Sequence, residues 1–226
     1  MTTKEFDLEF DILYDNAFSK GSRGLDVYEK SVFLTQAQEE IVKSYYSGYN
    51  LTKESFERTE DRRNSLKNLV KTYKTSTLIN SNEKISNNSK VYKLPDNLWY
   101  IIYEQCKLKD NCIDYIEVKP VTHDEYGITI DNPFRRPNKR KVIRLDVANV
   151  GNNKVVELIS ATDIEEYIVR YLKKPSPIII ANFEENSETS GLNLLIDGKN
   201  TITECELDSE IHRDILYRAV ELAKYR

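Results

Sequence analysis

The chain has 226 residues, 39% hydrophobic and 31% charged with 10% aromatics, which is enough apolar content for a core and too much for a chain disordered throughout. Its formal net charge of −4 excludes a surface that wraps nucleic acid on every side, while leaving room for a local basic patch. The three cysteines, Cys106, Cys112 and Cys205, lack C-x-x-C spacing, which excludes a disulfide framework and a zinc knuckle and points to folding in a reducing compartment.

The first ten residues alternate charged and apolar side chains without the apolar centre of a signal peptide. No stretch approaches the roughly 18 uncharged apolar residues of a membrane span, so neither feature is expected. Phe6, Phe10, Leu13, Tyr14 and Phe18 fall at helical spacings, with acids on the other face, up to Gly21 and Gly24, and predict an amphipathic helix followed by a turn. Thr35 with Gln38 three residues later has the capping-box pattern, and Ala37, Ile41 and Tyr45 continue one stripe toward Gly48, predicting a second helix. Thr52 is placed to cap a third, from about 53 to 67, where Phe56 stands among Glu57, Arg58, Glu60, Asp61, Arg62 and Arg63; its charged face is expected in solvent.

From Leu69 the period shortens to two and β-branched residues become frequent, so a sheet begins. Residues 80–90 are polar and read as a loop or hairpin tip. The stretch 90–183 then reads as strand after strand, near 90–94, 98–107, 112–120, 141–147, 154–160 and 165–172, with Pro175 and Pro177 setting 178–183 apart as a separate or edge strand. A second polar loop at 184–191 leads to a turn at Asn193-Leu-Leu-Ile-Asp-Gly198. Asp208 or Ser209 is suited to cap a final helix whose Ile211, Ile215, Ala219, Leu222 and Ala223 share one face. This order predicts an α+β fold in which N-terminal helices and a C-terminal helix pack together around an inserted β-rich region. The expected parts are residues 1–68, helical; 69–204, β-rich; and 205–226, a helix completing the first part.

Little in the chain suggests chemistry, and no catalytic, metal or cofactor residue is expected. Glu210 and His212 are two apart on a predicted helix and point away from each other. His123 beside Asp124 and Glu125 has the donor types for a divalent cation, but a turn or cap after Pro120 accounts for them equally well. There is no phosphate-cradling glycine motif, no nucleophile elbow and only 7 glycines. The strongest charged feature is Phe134-Arg-Arg-Pro-Asn-Lys-Arg-Lys-Val-Ile-Arg144, with Arg135, Arg136, Lys139, Arg140, Lys141 and Arg144. It could grip a phosphate backbone, form a solvated hairpin, or pair with acids on a neighbouring subunit. The last reading is favoured, because Pro133 and Pro137 stiffen the segment and few aromatics interleave to stack bases. Fifteen tyrosines, clustered at Tyr45, Tyr46 and Tyr49 and again at Tyr100, Tyr103, Tyr115 and Tyr126, suit interface patches that stay soluble before assembly.

Two blocks carry a family resemblance. One is Tyr14-Asp-Asn-Ala-Phe-Ser19 with residues 26–42. The other is Asp131-Asn-Pro-Phe-Arg-Arg-Pro-Asn138 with residues 167–178 and the terminal 205–223. Together they resemble the head-to-tail ring, or portal-adaptor, proteins of crAss-like tailed bacteriophages that infect gut Bacteroides, over most of the chain outside its polar loops. The resemblance implies a structural virion protein with no enzymatic activity and no cofactor, made in the host bacterial cytoplasm and placed in the phage neck or tail. Its implied partners are copies of itself in a ring of about twelve, closed by heterologous contacts, the portal protein, neighbouring ring and tail proteins, and double-stranded DNA in transit. No membrane is implied.

Overall fold

The structure is a computed structural model that describes residues 1–17, 24–48, 55–80, 84–86, 89–109, 114–151, 153–184 and 193–225. Five helices and eight strands are described. They run α1 (Thr3–Ala17), α2 (Val27–Ser47), α3 (Glu60–Leu66), β1 (Val70–Thr75), β2 (Leu78–Ile79), β3 (Ser89–Lys93) and β4 (Leu98–Leu108). Then come β5 (Ile116–Pro120), α4 (His123–Asp131), β6 (Val142–Asp146), β7 (Val155–Ile159), β8 (Ile164–Lys173) and α5 (His212–Lys224). The fold is α+β, and the chain forms two compact units: residues 1–69 with 175–226, and residues 70–174.

In the first unit α1 buries Phe6, Phe10 and Tyr14 at successive i+4 steps, the apolar stripe its spacing dictates. Phe18 and Gly21, which the sequence assigned to the end of this helix, lie outside the described residues, as do Tyr49, Thr52 and Cys112. Lys30 of α2 ties the two helices, with its ammonium 2.8 Å from Asp7 and 2.7 Å from Asp11. Burial works against that charge, and the two carboxylates more than offset it, so the Lys30 pKa stands above the ordinary lysine value. Ile211, just before α5, and Ile215, Ala219 and Ala223 on it are buried as their spacing predicts, with Leu222 half-buried. Asp208 accepts the Glu210 N–H and caps the 3-10 turn that leads into the helix.

The capping box at Thr35 and Gln38 is corrected. The cap lies nine residues earlier, at Asp26, whose carboxylate accepts the Glu29 N–H at 2.7 Å while Glu29 accepts the Asp26 N–H at 3.3 Å. The helix ends at Gly48, whose φ of 77° is a left-handed cap that only glycine adopts without strain. Thr35 and Gln38 are therefore mid-helix, and with Ser31 they serve a different strand-like segment. Ser31 Oγ accepts the Ile180 N–H, Thr35 Oγ1 accepts the Ile178 N–H at 3.1 Å, and Gln38 Nε2 donates to the Ser176 carbonyl at 2.8 Å. This also corrects the strand expected at 178–183. Helix side chains satisfy its buried backbone on one side, so only a single bridge, Ile179 with Thr203, remains of a ladder. The third helix is shorter than expected, because residues 55–59 are not helical and α3 starts at Glu60.

The second unit is one mixed sheet in the order β1-β8-β4-β5-β6-β7-β3-β2. Strands β1 and β2 stand at opposite ends of that order, yet only Ser76 and Thr77 separate them. Three Cα steps span at most about 11 Å, so the sheet curls back on itself around a core that includes Tyr92, Cys106, Val118, Val142, Leu158 and Val169. All pairings are antiparallel except β5 with β6, where Val118 is opposite Val142. A parallel pair requires a crossover, and α4 is that crossover. It corrects the all-strand reading of 90–183. Its Tyr126 and Ile130, four residues apart, pack on Ile143, Leu145 and Ile159. Strand β7 is thereby covered on both faces and buried at all five positions.

Candidate assembly interface

Helix α4 positions the basic segment that follows it. His123, at its start, donates from Nε2 to the Asp146 carbonyl at 2.8 Å and pins the helix to the end of β6. The neighbouring Asp124 carboxyl lies below the ordinary aspartate pKa, first through the Thr122 hydroxyl. Both residues thus have local structural partners. Among the described residues no three His, Cys, Asp or Glu converge to hold a metal ion.

After Asn132 the chain turns tightly. The Asn132 side chain accepts the Phe134 N–H at 2.9 Å, and its carbonyl accepts the N–H groups of Arg135 and Arg136. A second turn closes between Asn138 and Lys141, with Asn138 Oδ1 accepting the Arg140 N–H at 2.8 Å. Pro133 and Pro137 lack donors and fix φ at the entries to these turns, so the arm is shaped by local bonds. It presents Arg135, Arg136, Lys139 and Arg140 as exposed residues, with Lys141 half-buried. Beside the arginines, Phe134 is 91% exposed and Ile128, on the outer side of α4, is 66% exposed. A groove of about 580 Å³ lies between the inner side of α4, the arm and the end of β7, with Tyr126, Ile130 and Ile159 among its apolar lining and Arg136 and Lys139 among its basic lining.

Arg144 does not belong to this arm. It lies on β6 with its guanidinium 2.7 Å from the Glu104 carboxylate, the two side chains being only 11% and 4% exposed. The Tyr167 hydroxyl donates to the other oxygen of Glu104. Burial raises the Glu104 pKa while Arg144 and the Tyr167 hydrogen bond oppose it. Burial, with the neighbouring carboxylate, also holds the Tyr167 pKa far above the ordinary value, so it remains a donor. Glu104, Cys106 and Leu108 share the interior parity of β4, so the one acid at that parity was the signal that a cation must reach inside.

His212 is structural. One ring nitrogen lies 2.6 Å from the Met1 amine and the other 3.1 Å from the Leu207 carbonyl, and Phe6 packs on the ring. Cys106 and Cys205 are free thiols, pushed up by burial to about 12 and about 11. Of the clustered tyrosines, Tyr103 and Tyr115 are exposed, Tyr126 is half-buried on the inner side of α4, and Tyr45 is held by Asp214 and Arg62.

Residues 1–226 match the family described as phage tail ring protein 3/4. The chain is 41% identical to "Ring protein 3" of Bacteroides phage crAss001, over 99% of this chain and 95% of that protein. It is 36% identical to "Ring protein 4/5" of the same phage, over 99% and 92%. Matches of that extent leave one assignment: this chain belongs to the tail ring protein 3/4 family of crAss-like phages.

Proposed function

We propose that the protein is a structural, non-enzymatic component of the phage neck or tail, one ring in a connector below the portal that bridges portal and tail proteins around the DNA channel. The observation that carries this reading, on a chain of a ring family, is the turn-stiffened arm with solvent-facing Phe134, Arg135 and Arg136. A closed ring needs two unlike faces on each subunit, and this arm, with Lys139, Arg140 and Lys141, is one of them. It meets acids across a subunit or ring boundary. In the proposed arrangement the helical unit forms the ring body, the β-rich unit is an insertion that reaches toward the next ring, and about twelve copies close the circle. A net acidic chain suits a channel through which DNA slides, since a basic lumen would hold it.

Mass measurement of the isolated chain and of purified particles tests this. The expected result is one defined multiple of the chain mass per particle, with the isolated chain joining a ring in the presence of its portal. A chain found once or twice per particle would sink the reading. The competing role, a basic-loop nucleic-acid binder, predicts retardation of DNA that weakens steeply with salt.

A further inference from the structure

We infer that the basic groove beside α4 receives the outer face of α1 from a second copy of this chain. This identification of the partner rests on the ring reading. The outer stripe of α1 is Glu5, Leu8, Ile12 and Asp15, at i, i+3, i+7 and i+10, with Glu9 alongside. Leu8 is 65% and Ile12 60% exposed, although the opposite side of the same helix is fully buried at Phe6 and Phe10. Among the described residues, nothing covers these two aliphatic side chains.

The two surfaces match in kind. The stripe is a pair of i, i+4 aliphatic side chains with Glu5, Glu9 and Asp15 around it and one cation, Lys4, a turn before Leu8. The groove is lined by Tyr126, Ile130 and Ile159 together with Arg136 and Lys139, and the exposed Phe134 and Arg135 immediately precede Arg136 on the arm. An amphipathic helix in a groove is read by such anchors, and opposite charge fixes which way it lies. The pair is also self-consistent for a ring, because stripe and groove are different surfaces and each copy offers both, which is the heterologous contact that closes by rotation. Phe134 beside arginines could also stack on nucleic acid, but that leaves the exposed stripe of α1 unexplained.

The test is a charge exchange read by self-association of the full chain, in sedimentation and in particle assembly. Arg135→Glu with Arg136→Glu is expected to weaken association by about tenfold or more, and Glu9→Arg with Asp15→Arg to do the same. All four together should restore it to within about threefold of the parent. Leu8→Asp with Ile12→Asp should abolish assembly while the circular dichroism stays unchanged, since neither side chain is in the core. Additive loss in the fourfold variant, or normal assembly of the Leu8/Ile12 variant, would overturn this pairing and leave the ring standing. A parent chain that never multiplies in the particle overturns both. Loss of DNA retardation without loss of association in the Arg135/Arg136 variant would transfer the arm to nucleic acid.

Discussion

Arg135 and Arg144 belong to one run of cations, but the fold sends them to opposite environments. Arg144 enters the curled sheet, where Glu104 and Tyr167 wait for it in a nearly dry interior. Arg135 stays on a turn stiffened by Asn132 and two prolines, beside an exposed phenylalanine. The difference lies in strand parity. Residues 142 and 144 face inward because Val142 is in the core, and once β6 is in register its side chains have no choice of face. Charge inside the sheet is a matter of stability, whereas charge on the arm is available for recognition.

The comparison is broken most forcefully at Glu104. Glu104→Ala leaves the buried Arg144 guanidinium with only the exposed Asp146 carboxylate, 3.3 Å from its Nε, and the buried Tyr167 hydroxyl without its acceptor, and is expected to cost about 3–5 kcal/mol in urea unfolding. Combining Glu104→Leu with Arg144→Met should recover much of that loss, because an apolar pair of similar volume carries no uncompensated charge. A double variant as unstable as Glu104→Ala would show that the pair specifies register as well. The helical unit offers a smaller analogue. Thr35→Val leaves the Ile178 N–H without its acceptor, a buried amide whose loss costs about 1–3 kcal/mol, and hydrogen exchange at that amide should rise with it. Below this comes Asp26→Ala, which removes the true cap of α2 for about 1 kcal/mol, whereas no capping loss is expected from Thr35.

Acid supplies a further test of the helical unit. Burial, followed by the nearby N-terminal ammonium, lowers the His212 pKa despite the Leu207 carbonyl. Below about pH 6.5 the unfolded chain therefore binds more protons at this residue than the folded one. Its contribution is present above that pH and is lost progressively as pH falls, and His212→Gln should flatten that part of the stability profile. The smallest expected effect on folding is at the arm. Arg135→Ala with Arg136→Ala should shift the unfolding midpoint by no more than about 0.5 kcal/mol while assembly suffers. A large loss of stability there would mean that the arm, like Arg144, is holding the monomer together.

Much was legible where local physics decides. The stripes of α1 and α5 are read directly from 3.6-residue spacing, and the glycines mark the end of α2 at Gly48 and the turn at 193–198, where φ is 48° at Asp197 and 77° at Gly198. The antiparallel strands β3, β4, β7 and β8 follow from alternation and β-branched content. Thr35 and Gln38 match a capping pattern by chance, because their true partner is the backbone at 176–178, far away in sequence. Helix α4 contains Gly127 and β-branched Ile128, Thr129 and Ile130, all poor helix formers, and it is helical because a parallel β5–β6 pair must be bridged. No short window of sequence contains that requirement.

The sequence by itself determined the α+β composition, the family, and the presence of a proline-bounded arginine arm, since these rest on residue type and short spacing. Tertiary structure alone decided which cation of that run is internal, that 178–180 leans on α2 instead of joining the sheet, and that an aliphatic stripe on α1 is left facing solvent. Those outcomes depend on contacts between residues distant in the chain, where burial and unmet hydrogen bonds, rather than local propensity, set the lowest free energy.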